Sequence, residues 1–74
     1  MIKQLVNDIM TIYLQNGYYL IKQYKGVMCD IAEHEVKITI YGEFIAIAFN
    51  ENGKKEIIML GRNKDGIQTN EKTE

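Results

Sequence analysis

Residues 29 to 35 read Cys-Asp-Ile-Ala-Glu-His-Glu, and within seven positions they hold the chain's only cysteine, its only histidine and three carboxylates. Thiolate, imidazole and carboxylate are the zinc-ligating groups, and a structural zinc site needs three or four of them at tetrahedral distance. A thiol beside an imidazole could also act as a nucleophile with its base. Spacing argues against both. Alternate side chains of a strand point to opposite faces, so Cys29 and Asp30 diverge, and His34 falls beyond the strand in a turn. The expectation is a strand at 27 to 32 with Cys29 and Ile31 facing inward, followed by a polar turn centred on His34 and Glu35. A lone cysteine in that position is a small buried hydrophobe.

One narrower site survives. If the strands run up and down, the turn at 33 to 35 and the turn at 50 to 53 share one end of the sheet. Glu33, His34, Glu35 and Glu51, with Asn50 and Asn52, then form an acidic lip able to hold a hard cation weakly or to meet a basic partner. Other catalytic signatures are missing: there is no serine, the histidine has no evident orienting partner, and the six glycines are scattered singly rather than gathered in a phosphate loop. The expectation is a protein that is not an enzyme, with no cofactor and no metal.

Charge narrows the partner classes. The formal net charge is −1, and residues 1 to 60 carry six lysines against seven acidic groups. The only arginine, Arg62, lies beyond them, whereas nucleic-acid recognition favours clustered arginine and lysine. The best case for single-stranded nucleic acid is Lys22, Lys25, Lys37, Lys54 and Lys55 interleaved with Tyr18, Tyr19, Tyr24 and Tyr41, since bases stack on exposed aromatics. Carboxylates at 30, 33, 35, 43, 51 and 56 dilute that pattern. No stretch reaches the length of a membrane span, and polar residues interrupt the amino-terminal apolar pattern, unlike a signal peptide. A single cysteine suits a reducing compartment, so the expected location is the cytoplasm and no membrane partner is expected. Twelve isoleucines and six asparagines with no proline or tryptophan suggest an AT-rich genome, such as that of a low-GC bacterium, its phage or its plasmids.

The elements that must position these groups follow from periodicity. Ile2, Leu5, Val6, Ile9, Ile12 and Tyr13 keep helical spacing, and Asn16-Gly17 supplies a left-handed stop, which predicts a helix over 2 to 16. Aromatic and β-branched residues then predict strands at 18 to 24 and 27 to 32, with a helical continuation to Tyr24 as the rival for the first. Asn52-Gly53 is a strong two-residue hairpin turn, and Gly42-Glu43 suits a turn with glycine first. Pairing across Gly42-Glu43 sets Val36, Ile38 and Ile40 opposite Phe49, Ile47 and Ile45. Pairing across Asn52-Gly53 sets Ile47 and Ile45 opposite Ile58 and Leu60. Both turns put the same residues on one face, a parity that a one-residue slip would destroy.

The predicted architecture is α+β: one amino-terminal helix packed on an antiparallel meander of four to five strands, within residues 1 to 60, with 61 to 74 a polar, disordered tail. The helix is expected to cover Ile31, Ile38, Ile40, Ile45, Ile47, Phe49, Ile58 and Leu60. The opposite face then shows Tyr41, Phe44, Ala46, Ala48, Ile57 and Met59, more apolar than a solvated face needs. That face, or the acidic lip, is expected to bind a protein partner or a second copy as a homodimer. The function expected is a small regulator or inhibitor of the phage or mobile-element type; the alternative is a single-stranded nucleic-acid-binding module.

Overall fold

The computed structural model describes residues 2–62, and they form one helix and one four-stranded antiparallel sheet. Helix α1 spans Ile2–Leu14, and the strands are β1 Tyr18–Lys25, β2 Val36–Tyr41, β3 Phe44–Glu51 and β4 Lys54–Arg62. The expected α+β class, with the helix laid on the sheet, is what forms. The helix ends two residues before the predicted stop. The Asn16 amide donates to the Ile12 carbonyl at 2.6 Å, and Gly17 takes φ of 91°, so the side chain and the left-handed glycine together satisfy the last turn. Residues 18–25 are strand, not helix.

The two hairpins form in the expected register. Val36, Ile38 and Ile40 face Phe49, Ile47 and Ile45 across one turn, and Ile47 and Ile45 face Ile58 and Leu60 across the other. Asn52 and Gly53 both have positive φ, the signature of a type I′ turn, while Gly42 alone does at the first hairpin. Val6, Ile45, Ile47, Phe49, Ile58 and Leu60 make the core, with Ile2, Ile9, Met10, Tyr13, Tyr18 and Val36 packed around it. Each buried aliphatic contributes about 1.5–3 kcal/mol through removal from water.

Two differences from the expected arrangement matter for function. Strand β1 is not beside β2; the order is β1-β4-β3-β2, so β1 closes the free edge of β4 and only β2, β3 and β4 are a meander. The chain must therefore pass from one edge of the sheet to the other, three strand spacings or about 14 Å. Residues 27–32, expected as a strand paired with β2, make that passage instead and join no ladder. Their polar groups are satisfied individually. The carbonyl of Cys29 accepts from Lys55 Nζ at 2.7 Å, that of Asp30 from Lys37 Nζ at 3.1 Å, and that of Ile31 from Asn50 Nδ2 at 3.1 Å. Three side chains from three strands thus replace the neighbouring strand.

The second difference concerns the core. Ile38 and Ile40 lie on the helix side, as the register requires, yet they are 41% and 65% exposed. The helix packs over β1 and β3, and β2 extends beyond its reach. Ile31 is buried but stands outside the helix-side core, held on the opposite face by the crossing segment. Cys29 is half-buried in that segment and does not enter the core. Strand β4 includes Gly61 and Arg62, two residues past the expected end of the ordered part; the rest of the expected tail lies outside the described residues.

Candidate functional site

The face opposite α1 is read most directly as rows of residues across the sheet, because directly paired residues share a face. From β1 to β2, one row runs Tyr19, Gly61, Phe44, Tyr41; the next runs Lys22, Met59, Ala46, Thr39; the third runs Tyr24, Ile57, Ala48, Lys37. All six residues expected on this surface, Tyr41, Phe44, Ala46, Ala48, Ile57 and Met59, share it. Tyr41 and Phe44 are exposed, while the two alanines, Ile57 and Met59 are half-buried along the middle strands. The arrangement is a shallow floor of small residues between two taller rims.

The second rim comes from β1, and sequence reasoning did not find it. Tyr19, Ile21 and Tyr24 are each exposed on this face. A β-bulge between Leu20 and Lys22 lets Ile21 and Lys22 share it and brings Tyr24 to it as well, so the outward positions are filled by Tyr19, Ile21, Lys22 and Tyr24. Without the bulge, Ile21 and Tyr19 would still alternate outward, but the following residues would change face. The signal that placed β2, β3 and β4 was turn chemistry; β1 has no hairpin to its one neighbour in space, β4, so its register was not legible. Gly61 marks the contact. A Cβ there would stand 2.9 Å from Ile21 Cδ1 and 3.1 Å from the Tyr19 ring, so those two side chains close over the backbone of β4.

Electrostatics on this face are weak. Its strand positions carry Lys22, Lys37 and Lys55 and no carboxylate, since Glu51 and Glu56 have the opposite parity. Two of the three ammonium groups are engaged inside the fold, Lys37 and Lys55 on carbonyls of the crossing segment. Lys22 lies over the Tyr24 ring, 5.1 Å from its centroid. What the face offers a partner is aromatic and aliphatic surface.

The acidic lip has a definite geometry. The His34 amide donates to the Asn50 carbonyl and the Asn50 amide to the Glu35 carbonyl, which sets the 33–35 turn beside the end of β3. The turn is centred on Glu33 and His34, one residue earlier than predicted, with Glu35 N bonded to Ala32 O and His34 at φ of 63°. Glu35 is turned inward onto its own loop, its Oε1 accepting from the Ala32 amide at 2.8 Å. Glu33 Oε2 and His34 Nε2 stand 4.0 Å apart and exposed. Glu51 belongs to the last residue of β3 and faces the helix side. Half-buried Glu51 therefore does not join Glu33 and His34, and among the described residues no three His, Cys, Asp or Glu side chains are placed to hold a metal ion. Among the described residues no helix is long and apolar enough to cross a membrane.

Comparison with family models, with curated proteins and with solved structures finds no match for the chain.

Proposed function

We propose that this chain is a protein-binding module without catalysis, that its contact surface is the sheet, and that its first partner is a second copy of itself. The observation that carries the reading is edge strand β2, which leaves Ile38 and Ile40 exposed on the helix side and Tyr41, beside Phe44 of β3, exposed at its end on the other. Its outer backbone groups have no neighbouring strand in the sheet. Natural proteins protect such edges with bulges, charge or cover. The other edge, β1, has a bulge and carries Lys22 and Lys25, whereas β2 is regular along its six residues and its one charge, Lys37, is bonded to the Asp30 carbonyl. Antiparallel pairing of β2 with β2 about a twofold axis would satisfy those groups and set Ile38 and Ile40 of the two copies side by side, a self-complementary contact. The bare face with Tyr19, Ile21 and Tyr24 then stays available to a further protein, in keeping with a regulator or inhibitor that works by occupying a partner's surface.

The test is the mass in solution. Sedimentation equilibrium should give twice the chain mass at micromolar concentration, and Ile40→Lys should return it to the monomer without loss of the folded circular-dichroism spectrum, because Ile40 is exposed. A monomeric wild-type chain, or an unchanged dimer in Ile40→Lys, overturns the reading.

A second reading is favoured by one observation, the row Tyr19, Phe44 and Tyr41 across a face without strand carboxylates. Such a row can stack unpaired bases. A salt-dependent affinity for a single-stranded oligonucleotide, reduced by Tyr41→Ala, would select it over protein binding.

A further inference from the structure

At the end of the sheet that carries the β3–β4 hairpin, four lysines line one cavity, and the strand register puts Lys25 and Lys54 on its helix side and Lys55 on the other. Lys3 comes from the first turn of α1, Lys25 from the last position of β1, and Lys54 and Lys55 from the start of β4. The cavity measures about 490 Å³ and is completed by Gly26, Val27, Gly53 and Glu56. Sequence order hides this cluster, since its members are spread over residues 3 to 55 and the strands bearing Lys25 and Lys54 are paired only because β1 joins β4.

None of these charges is spent in a close ion pair, although Glu51 stands opposite Lys54 in the β3–β4 register. Among the described residues, no lysine has a carboxylate within 4 Å; the one close pair of opposite charges is Glu33 with His34. Glu56, the single carboxylate lining the cavity, is buried and accepts a hydrogen bond from Gln23 Nε2 at 2.8 Å. With the Lys55 ammonium turned to the other face, three lysines, Lys3, Lys25 and Lys54, against Glu56 leave a formal charge of +2 around the cavity. Lys55 places its ammonium on the Cys29 carbonyl, so Lys3, Lys25 and Lys54 are the three whose ammonium groups remain for a ligand. Like charges held together repel, and long side chains would spread apart unless an anion lay between them. The backbone is open as well: at Gly26 and Gly53 a Cβ would meet nothing within 4 Å, so a ligand can approach the chain closely at two points on the rim.

We propose that this cavity binds a small soluble polyphosphate, such as an organic di- or triphosphate. A single monoanion would leave most of the lysine charge unmatched, whereas a chain of two or three phosphates carries several negative charges over a span that three separate ammonium groups can follow. The volume suits a small molecule rather than a nucleic-acid strand, which would need an extended basic track. An adjoining recess lined by Val27, Met28, Cys29, Asp30 and Lys55 shares two residues with the cavity, and Met28 there is 99% exposed, so an organic group attached to the phosphates has apolar surface to rest on. This site lies where β1 meets β4, away from edge strand β2 on which the proposed self-pairing depends, and it stands or falls independently.

The experiment uses the full chain, with inorganic tripolyphosphate as the probe, followed by amide chemical shifts and by calorimetry. Saturable binding is expected, with the largest shifts at Gly26, Gly53 and Lys54. The double variant Lys25→Gln, Lys54→Gln should weaken it at least tenfold while leaving the amide spectrum of β2 and β3 unchanged. Adding salt should weaken binding progressively. Shifts that do not saturate, that are spread evenly over Lys22 and Lys37, or that persist undiminished in the double variant overturn the proposal.

Discussion

Asn50 is the residue on which the crossing segment depends, and its removal should cost more than any other single polar change in the chain. It is buried, and its side chain works in two directions: Nδ2 donates to the Ile31 carbonyl at 3.1 Å, and Oδ1 accepts from the Gly53 amide at 3.1 Å. Its main chain adds two further bonds, to His34 and Glu35. Asn50→Ala keeps the main-chain bonds and removes both side-chain bonds. It leaves the Ile31 carbonyl without its donor, and an orphaned group of this kind costs about 1–3 kcal/mol. The Gly53 amide, nearer the surface, adds about 0.5–1.5 kcal/mol. The expected loss is about 1.5–4.5 kcal/mol, against a total of roughly 3–9 kcal/mol for residues 2–62 at the usual stability per residue. Asn50→Asp separates the two roles, since it keeps the acceptor for Gly53 and sets a second acceptor against the Ile31 carbonyl. Urea denaturation of both variants measures the losses directly, and native-state hydrogen exchange should show the 27–35 segment opening below the global transition in each. If Asn50→Ala lies within about 0.5 kcal/mol of wild type, the span of an ordinary surface change, then the segment is held by something other than these bonds and the account of the β1-to-β2 passage fails.

Other substitutions check the remaining elements. Leu60→Ala should cost about 2–5 kcal/mol, because Leu60 is fully buried, while Ile40→Ala should cost under about 1 kcal/mol in the monomer despite an identical sequence-based rank; thermal melts of the two separate covered from uncovered sheet. His34→Gly should be neutral or stabilising by up to about 1 kcal/mol, since His34 occupies a left-handed conformation that glycine adopts without strain; a loss in urea midpoint would show that the imidazole holds the turn. Gly61→Ala should cost about 0.5–1.5 kcal/mol and move the ring resonances of Tyr19, because the new methyl enters the space that Ile21 and Tyr19 fill; unchanged Tyr19 signals would contradict the packing of β1 on β4.

Much of the site was written in turn chemistry. Asn52-Gly53 and Gly42-Glu43 each permit one geometry at low strain, and each demands the same inward set, Ile45 and Ile47, so the side on which Tyr41, Phe44, Ala46, Ala48, Ile57 and Met59 lie could be read without a structure. Local conformational preference at two short turns carries that information, and alternation propagates it along every residue of the paired strands. The segment around Cys29 shows where such reading ends. Its apolar alternation matches a strand, but alternation says only which residues share a face, not which strand stands alongside. Lys37, Asn50 and Lys55 satisfy its carbonyls singly, and no local pattern announces a side chain that arrives from another strand.

The sequence by itself determined the helix, the β2–β3–β4 meander, its register and the apolar character of both faces, because all of these depend on neighbours within about ten residues or on the strict twofold period of a strand. Tertiary structure alone decided that β1 pairs with β4, that α1 stops short of β2 and leaves Ile38 and Ile40 bare, and that Lys3, Lys25 and Lys54 meet at one cavity. Those outcomes are set by which of several sterically allowed edges buries the most surface, a competition among contacts distant in sequence that no short stretch of the chain contains.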